Sequence, residues 1–187
     1  GGVSGVTTAI ALASEKINVT LMEGNDKLLK KLLITGNGRC NFYNEDQSFN
    51  HYHSTHQELL QQFLKDENPL HALNFIENLG IVPLVKNGYY YPFTNKASTV
   101  YEAFLERLSK TNVKVLLNHK VRNIEIKDNG FLMDNEFYTD VVLATGSKAY
   151  PLTGSDGSGY SLLPFIKDRV IPVLPALTYL ECQTHYN

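Results

Sequence analysis

The hydrophobic positions change period several times along the chain, and each change predicts an element. Residues 6–14 are small and apolar in a helix-like run. Residues 18–22 form a short apolar strand ending at an acid, Glu23. A helix is expected over residues 56–65, with Ser54 or Thr55 as cap and Gln57 or Glu58 in the capping-box position. The next begins at Asn68-Pro69, a cap followed by proline at the first helical position, and ends at Gly80. Leu73, Phe75, Ile76 and Leu79 form its apolar face. Residues 82–85 and 89–93 flank Asn87-Gly88 and predict a hairpin, because Asn and Gly accept the positive φ of a tight turn. A third helix, residues 97–109, buries Val100, Phe104, Leu105 and Leu108. From Val113 the period falls to two. Residues 113–117, 121–127, 131–133 and 137–138 read as short strands, turning at Asp128-Asn129-Gly130 and near Asn135. Residues 140–144 read as a buried strand ended by Thr145-Gly146, and residues 170–181 as two strands interrupted by Pro172 and Pro175.

The first five residues change the meaning of this pattern. Gly1-Gly2-Val3-Ser4-Gly5 matches the last five positions of G-x-G-x-x-G, with Gly2 and Gly5 as the second and third glycines. The second glycine of such a loop lets the backbone approach a pyrophosphate, and the third lets the helix pack tightly on the sheet. The helix N-terminus offers N–H groups and a positive dipole end to the phosphates. Glu23 lies 21 residues after Gly2, where an acid at the end of the second strand accepts hydrogen bonds from a ribose diol. The competing readings are a glycine-rich helix start with no ligand and an acid that merely ends a strand. The correct spacing of loop, helix, strand and acid favours a nucleotide. On this reading the strand that should precede the loop is missing from the chain, and its loss would expose two neighbouring sheet edges.

The order of elements is therefore loop, helix and strand, then helices with a hairpin, then a small meander, then a buried strand ending in Ala144-Thr145-Gly146. Domains that bind only NAD cycle strand and helix more regularly. A meander that crosses back to the parallel sheet belongs to FAD folds of the two-dinucleotide-binding type. By this fold analogy the class is α/β, a Rossmann-like FAD-binding domain, incomplete.

Composition narrows the class further. The 187 residues are 43% hydrophobic and 19% charged, ordinary for a folded domain. A formal charge of −2 provides no global field toward nucleic acid or an anionic membrane. No apolar run approaches the roughly 18 residues of a spanning helix. Two cysteines, Cys40 and Cys182, argue against a disulfide framework and suit a reducing cytoplasm. The sequon Asn18-Val19-Thr20 falls in a buried strand and is discounted.

A longer signature lies at Lys30-Lys31-Leu32-Leu33-Ile34-Thr35-Gly36-Asn37-Gly38-Arg39-Cys40-Asn41. Its last seven residues hold two glycines and two asparagines, the composition of a loop with unusual dihedrals. Three other blocks accompany it: Tyr91-Pro92-Phe93-Thr94-Asn95-Lys96-Ala97, Val142 to Gly146 with Tyr150 to Tyr160, and Pro175-Ala176-Leu177. Together they resemble a bacterial flavoprotein family of NAD(P)/FAD-dependent oxidoreductases, the BaiN-like or aminoacetone oxidase-like proteins. The resemblance covers essentially the whole chain. It implies that residues 1–174 are part of an FAD-binding domain and residues 175–187 the start of an inserted second domain, so that the chain is about half of the family's length.

The resemblance implies FAD as cofactor, NADH or NADPH as reductant, and a bacterial, cytoplasmic enzyme. It places Gly1, Gly2, Ser4, Gly5, Glu23, Lys31, Gly36, Gly38, Arg39, Cys40, Asn41, Val121, Ala144, Thr145 and Gly146 against the cofactor. Family activities range from small amines and steroid-like reductions to dihydrouridine formation in ribosomal RNA. The partner is thus a small-molecule substrate or RNA, with no membrane. Five positions depart from the pattern. Leu29 replaces a usual glycine, Ser147 a second glycine, Ala149 a serine, and Asp168-Arg169 a Gly-His pair. A positive φ at Leu29 or Ser147 would cost about 1 kcal/mol or more.

Several candidates have simpler explanations. Arg39, Cys40 and Asn41 can be turn residues around glycines. Cys40 is better read as a packed cysteine or a backbone contact than as a redox thiol, since its sole partner would be distant Cys182. Lys27, Lys30, Lys31 and Arg39 form a basic stretch that is either a solvated face or a source of pyrophosphate neutralisation. Val121 serves as core, as an adenine contact through its backbone, or as both. His51, His53 and His56 lack Cys or acids at ligand spacing and read as solvent-facing rather than metal-binding. One or more of Tyr89, Tyr90 and Tyr91 should point inward.

The leading activity is an FAD-dependent oxidoreductase in which the flavin carries hydride or electrons and the protein binds and orients. No nucleophile-base constellation is present, so no catalytic acid or base is named. Two alternatives stand beside it. One is a non-catalytic truncated remnant with weak or no FAD binding. The other is an NAD-dependent dehydrogenase, which the meander argues against.

Overall fold

The structure is a computed structural model that describes residues 1–66, 68–162 and 169–174. Most of the two strands expected over residues 170–181, the Pro175-Ala176-Leu177 block, Asp168 and Cys182 lie outside the described residues. The chain divides into two compact units, Gly1–Lys120 and Val121–Asn187.

The first unit begins with helix α1 (Val3–Ser14), three residues longer at its start than the apolar run alone indicates. Strand β1 (Thr20–Met22) follows and pairs in parallel with β5 (Lys114–Leu116), Leu21 facing Val115. Helix α1 packs on β1 and on helix α4 (Ala97–Ser109). Val6, Ala9 and Ile10 of α1 meet Val100, Phe104 and Leu108 in one buried cluster, with Phe75 tilted against Phe104 at 5.9 Å between ring centroids. The bounds of α4 and its buried face match the sequence expectation, apart from Leu105, which is only partly buried.

Helix α2 (Gln57–Asp66) buries none of its residues, and Leu59 and Phe63 are exposed. Its start uses Ser54, whose Oγ accepts from His56 N–H at 3.0 Å. Helix α3 (Leu70–Asn78) follows Asn68, whose Oδ1 accepts from Leu70 N–H at 3.0 Å, and it ends before Gly80 at φ 89°. The hairpin forms as expected from β3 (Pro83–Lys86) and β4 (Tyr89–Pro92). Asn87 at φ 51° and Gly88 at φ 79° make its turn, a left-handed pair whose twist matches the strands. Strand β2 (Tyr43–Asn44) adds to the other edge of β4 and sets Tyr43 edge-on to Tyr90. Tyr90 and Tyr91 are half-buried, whereas the fully buried residue of β4 is Pro92.

The second unit holds a three-stranded meander, β6 (Glu125–Lys127), β7 (Gly130–Met133) and β8 (Glu136–Tyr138). Asp134 and Asn135 both have positive φ and close the β7–β8 turn. Ile124 and Met133 are the buried hydrophobic residues among those described in this unit. The strand expected over 121–127 shortens to its last three residues, leaving Val121 half-buried before it. The strand expected over residues 140–144 does not form. An apolar run becomes a strand only where an adjacent edge accepts its backbone groups, and no described sheet includes this one. Val142 is accordingly 61% exposed.

Candidate functional site

Helix α1 begins at the glycine loop, with Gly2 as its N-cap residue in extended backbone, φ −74° and ψ −177°. The Gly2 carbonyl accepts the first helical bond from Val6 N–H at 3.0 Å. No side chain caps this end, and no acid occupies the first turn. The opening N–H groups of a helix have no intrahelical partner, so this end combines donors with a positive dipole terminus. A Cβ built at Gly2 would meet no atom within 4 Å, and its φ suits any residue. Among the described residues no contact therefore requires glycine there. The space before it is open, as the close approach of a pyrophosphate demands. Ser4 is exposed on this turn, and Gly5 is buried beneath it. These residues fit an anionic nucleotide.

Gly1 is constrained differently. A Cβ there would collide with Glu23 Oε2 and lie 2.6 Å from Leu28 Cδ2. Glu23 stands at the end of β1 with its side chain 14% exposed, and Oε2 is 3.0 Å from the Gly1 nitrogen. Its other oxygen, Oε1, accepts from Asn25 N–H at 2.8 Å and from Asn25 Nδ2 at 2.7 Å. Burial would raise the Glu23 pKa, but the Asn25 bonds oppose it, and the carboxyl lies below its ordinary value. The end of β5 fixes the same turn, since His119 N–H donates to the Glu23 carbonyl and Asn118 N–H to that of Asn25. The structure thus brings the loop and the acid together as the spacing required.

Leu29 N–H donates to the Gly1 carbonyl at 2.8 Å and carries φ 59°, so the strain anticipated at this departure is present. Its side chain is 1% exposed. Burying a leucine is worth about 1.5–3 kcal/mol, which offsets the strain. At the other departure the positive φ of 74° falls on Gly146, and Ser147 needs none.

The loop 35–41 is built from left-handed residues: Gly36 at 55°, Asn37 at 55°, Gly38 at 77° and Cys40 at 59°. A Cβ at Gly36 would lie 2.8 Å from the Asn41 backbone nitrogen, so here the protein itself requires glycine. The Gly38 carbonyl receives the Ala97 N–H at 2.8 Å, which ties the loop to the start of α4. Arg39 donates through Nε to the Gly36 carbonyl at 3.0 Å, and its guanidinium stacks over Tyr91, 4.9 Å from the ring centre. Gly36, Gly38, Arg39 and Asn41 are exposed, and Lys31 is half-buried. Cys40 is in the core at 3% exposure, and burial pushes its thiol pKa up against the smaller opposing effect of Thr35. A thiol held neutral and covered is a packing group, as the simpler reading held.

In the second unit, Thr145 and Gly146 are exposed and Ala144 is half-buried. A Cβ at Gly159 would collide with the Thr145 side chain, and one at Gly146 would lie 3.1 Å from Ser155 Cβ. The two glycine-bearing blocks of this unit therefore pack directly on each other. His51 pairs with Asp46 at 2.8 Å, and with hydrogen bonds at Ser48 this lowers the Asp46 pKa to about 2. Among the described residues no three His, Cys, Asp or Glu side chains converge as a metal site. The contribution that sequence reasoning missed is Asn25. Its signal was the Gly24-Asn25 dipeptide directly after the acid, a turn in which Asn bonds back to its neighbours.

The chain is 35% identical over 191 residues to a 3-dehydro-bile acid delta(4,6)-reductase of Clostridium scindens, covering 99% of this chain and 47% of that protein. It is 25% identical to a ribosomal RNA dihydrouridine synthase of Haemophilus influenzae, covering 96% of this chain and 48% of the relative. It is 23% identical to the synthase of the same name from Escherichia coli, covering 94% and 45%. The chain spans about half the length of these curated relatives. The model of the HI0933-like protein Rossmann domain matches residues 1–175. This match along nearly all of the chain gives one conclusion: the chain belongs to the HI0933-like Rossmann domain family.

Proposed function

We propose that this chain is the nucleotide-binding portion of an FAD-dependent oxidoreductase. The observation that carries the reading is Gly2, a glycine that no protein contact and no dihedral requires, at the uncapped start of α1 beside Glu23. Gly1, Gly2, Ser4 and Gly5 receive the pyrophosphate, and Glu23 binds the adenosine ribose. Gly36, Gly38, Arg39 and Asn41 offer exposed backbone and a guanidinium to the cofactor, with Lys31 supplying charge from the same segment. Cys40 contributes through its backbone alone, because its thiol lies in the core.

When bound, FAD supplies the hydride or electron chemistry, with NADH or NADPH as reductant. The chain's own residues bind it, orient it and neutralise its phosphates. The substrate is a small molecule, a reading supported by the higher identity to the bile-acid reductase than to the RNA-modifying synthases. The family match over residues 1–175 supports assigning 1–174 to the FAD-binding domain and 175–187 to the start of the inserted one. A covered, neutral Cys40 is compatible with a reducing bacterial cytoplasm.

The alternative reading is a non-catalytic remnant with weak or no FAD binding. A visible absorption spectrum of the purified chain, taken after mixing with FAD and gel filtration, decides between them. Retained yellow flavin supports the oxidoreductase reading. A colourless protein supports the remnant.

A further inference from the structure

The hydrogen bonds at Glu23 determine more than its presence near the loop. A carboxylate oxygen has two lone pairs, and an ionised carboxylate can only accept. Oε1 already takes two bonds, from Asn25 N–H at 2.8 Å and Asn25 Nδ2 at 2.7 Å. The Asn25 amide has one sensible orientation, because its Nδ2 must face the acceptor. The 3.5 Å approach of Lys30 Nζ to Asn25 Oδ1 agrees with it. Lys30 is held in turn by Asp26 at 2.7 Å, and the Asn25 carbonyl by Asn118 N–H at 2.8 Å. Oε1 is thereby filled, and Oε2, 3.0 Å from the Gly1 nitrogen, is the oxygen left to accept from a ligand.

We infer that Asn25 is a positioning residue that saturates one oxygen of Glu23 and leaves Oε2 as a single acceptor for one ribose hydroxyl of the bound nucleotide. This rests on the nucleotide reading above. It departs from the simple picture of an acid clasping both hydroxyls of a diol. Glu23 so held recognises one hydroxyl and is indifferent to the other. Asn25 does this without touching the nucleotide.

The test uses the chain with ADP, 2′-deoxy-ADP and 3′-deoxy-ADP as probes in calorimetric titration, and carbon-detected NMR of the Glu23 carboxyl without ligand. One of the two deoxy probes is expected to bind about tenfold more weakly than ADP, the worth of a hydrogen bond to a charged acceptor, and the other within about twofold of it. In Asn25→Ala the Glu23 pKa rises and the difference between the deoxy probes narrows. Asn25→Ser, whose hydroxyl can donate to the same oxygen, restores part of both. A general structural effect of the substitution would weaken all three probes alike and leave their ratios intact. Equal losses for both deoxy probes in the wild type, or an Asn25→Ala variant with unchanged ratios and unchanged Glu23 pKa, overturn the inference alone. Failure of the wild-type chain to bind ADP overturns it together with the nucleotide reading.

Discussion

Two glycine loops stand in the first unit, and their glycines exist for opposite reasons. At Gly36 the backbone is left-handed and a Cβ would press on the Asn41 nitrogen at 2.8 Å. At Gly2 the backbone is ordinary and a Cβ would enter open space. The first glycine serves the fold, whereas no contact among the described residues calls for the second. The same residue type thus marks a structural constraint in one loop and a binding constraint in the other, and substitution separates the two.

The largest effect is expected at Gly36→Ala. Left-handed strain and the contact with Asn41 should cost about 2–3 kcal/mol. Chemical denaturation checks this, and an unchanged midpoint would show that the loop does not need its glycine. Leu29, bonded to Gly1 in the segment between the two loops, is the intermediate case. Leu29→Gly relieves a φ of 59° but empties a buried site, so it should still destabilise by about 2 kcal/mol. A stabilised variant would mean that strain outweighs packing there.

Gly2→Ala should weaken FAD or ADP binding by about tenfold or more, roughly 1.4 kcal/mol. Its effect on unfolding should stay within about 1 kcal/mol, because only the cap preference changes. Equal losses in stability and binding would erase the contrast with Gly36. Glu23 adds a smaller, pH-dependent effect. Its folded pKa is depressed, so it stabilises the fold above the unfolded value, and that contribution disappears as pH falls through the lower folded value. Glu23→Gln should flatten this part of the acid unfolding curve, which a pH series of denaturant midpoints would resolve. The smallest effect belongs to the exposed Asp46–His51 pair. Asp46→Asn should shift thermal stability hardly at all near neutral pH, where an exposed pair is screened by water.

Local chemistry carried much of the fold into plain view. Asn87-Gly88 announced its hairpin because few other residue pairs accept two positive φ angles. Helix α4 was legible in full, since its apolar positions repeat at helical spacing between Lys96 and Lys110. Residues 140–144 show the limit. Their apolar run reads as a strand, but pairing depends on an edge elsewhere in space, and no described edge pairs with them. The glycine loop and Glu23 were legible as a candidate site because their spacing follows from one strand, one helix and one turn. Asn25 was not, because its role depends on which way two neighbouring side chains turn.

By itself the sequence determined where the helices and the hairpin fall, which loop precedes α1, and that an acid ends the next strand. Those features depend on neighbours within a few residues, so local propensity and spacing suffice. Only the tertiary structure decided that Gly2 faces open space while Gly36 does not, that Cys40 is buried, and that one oxygen of Glu23 is already occupied. Each of those depends on atoms brought close by the fold, and residue order alone does not record such distances.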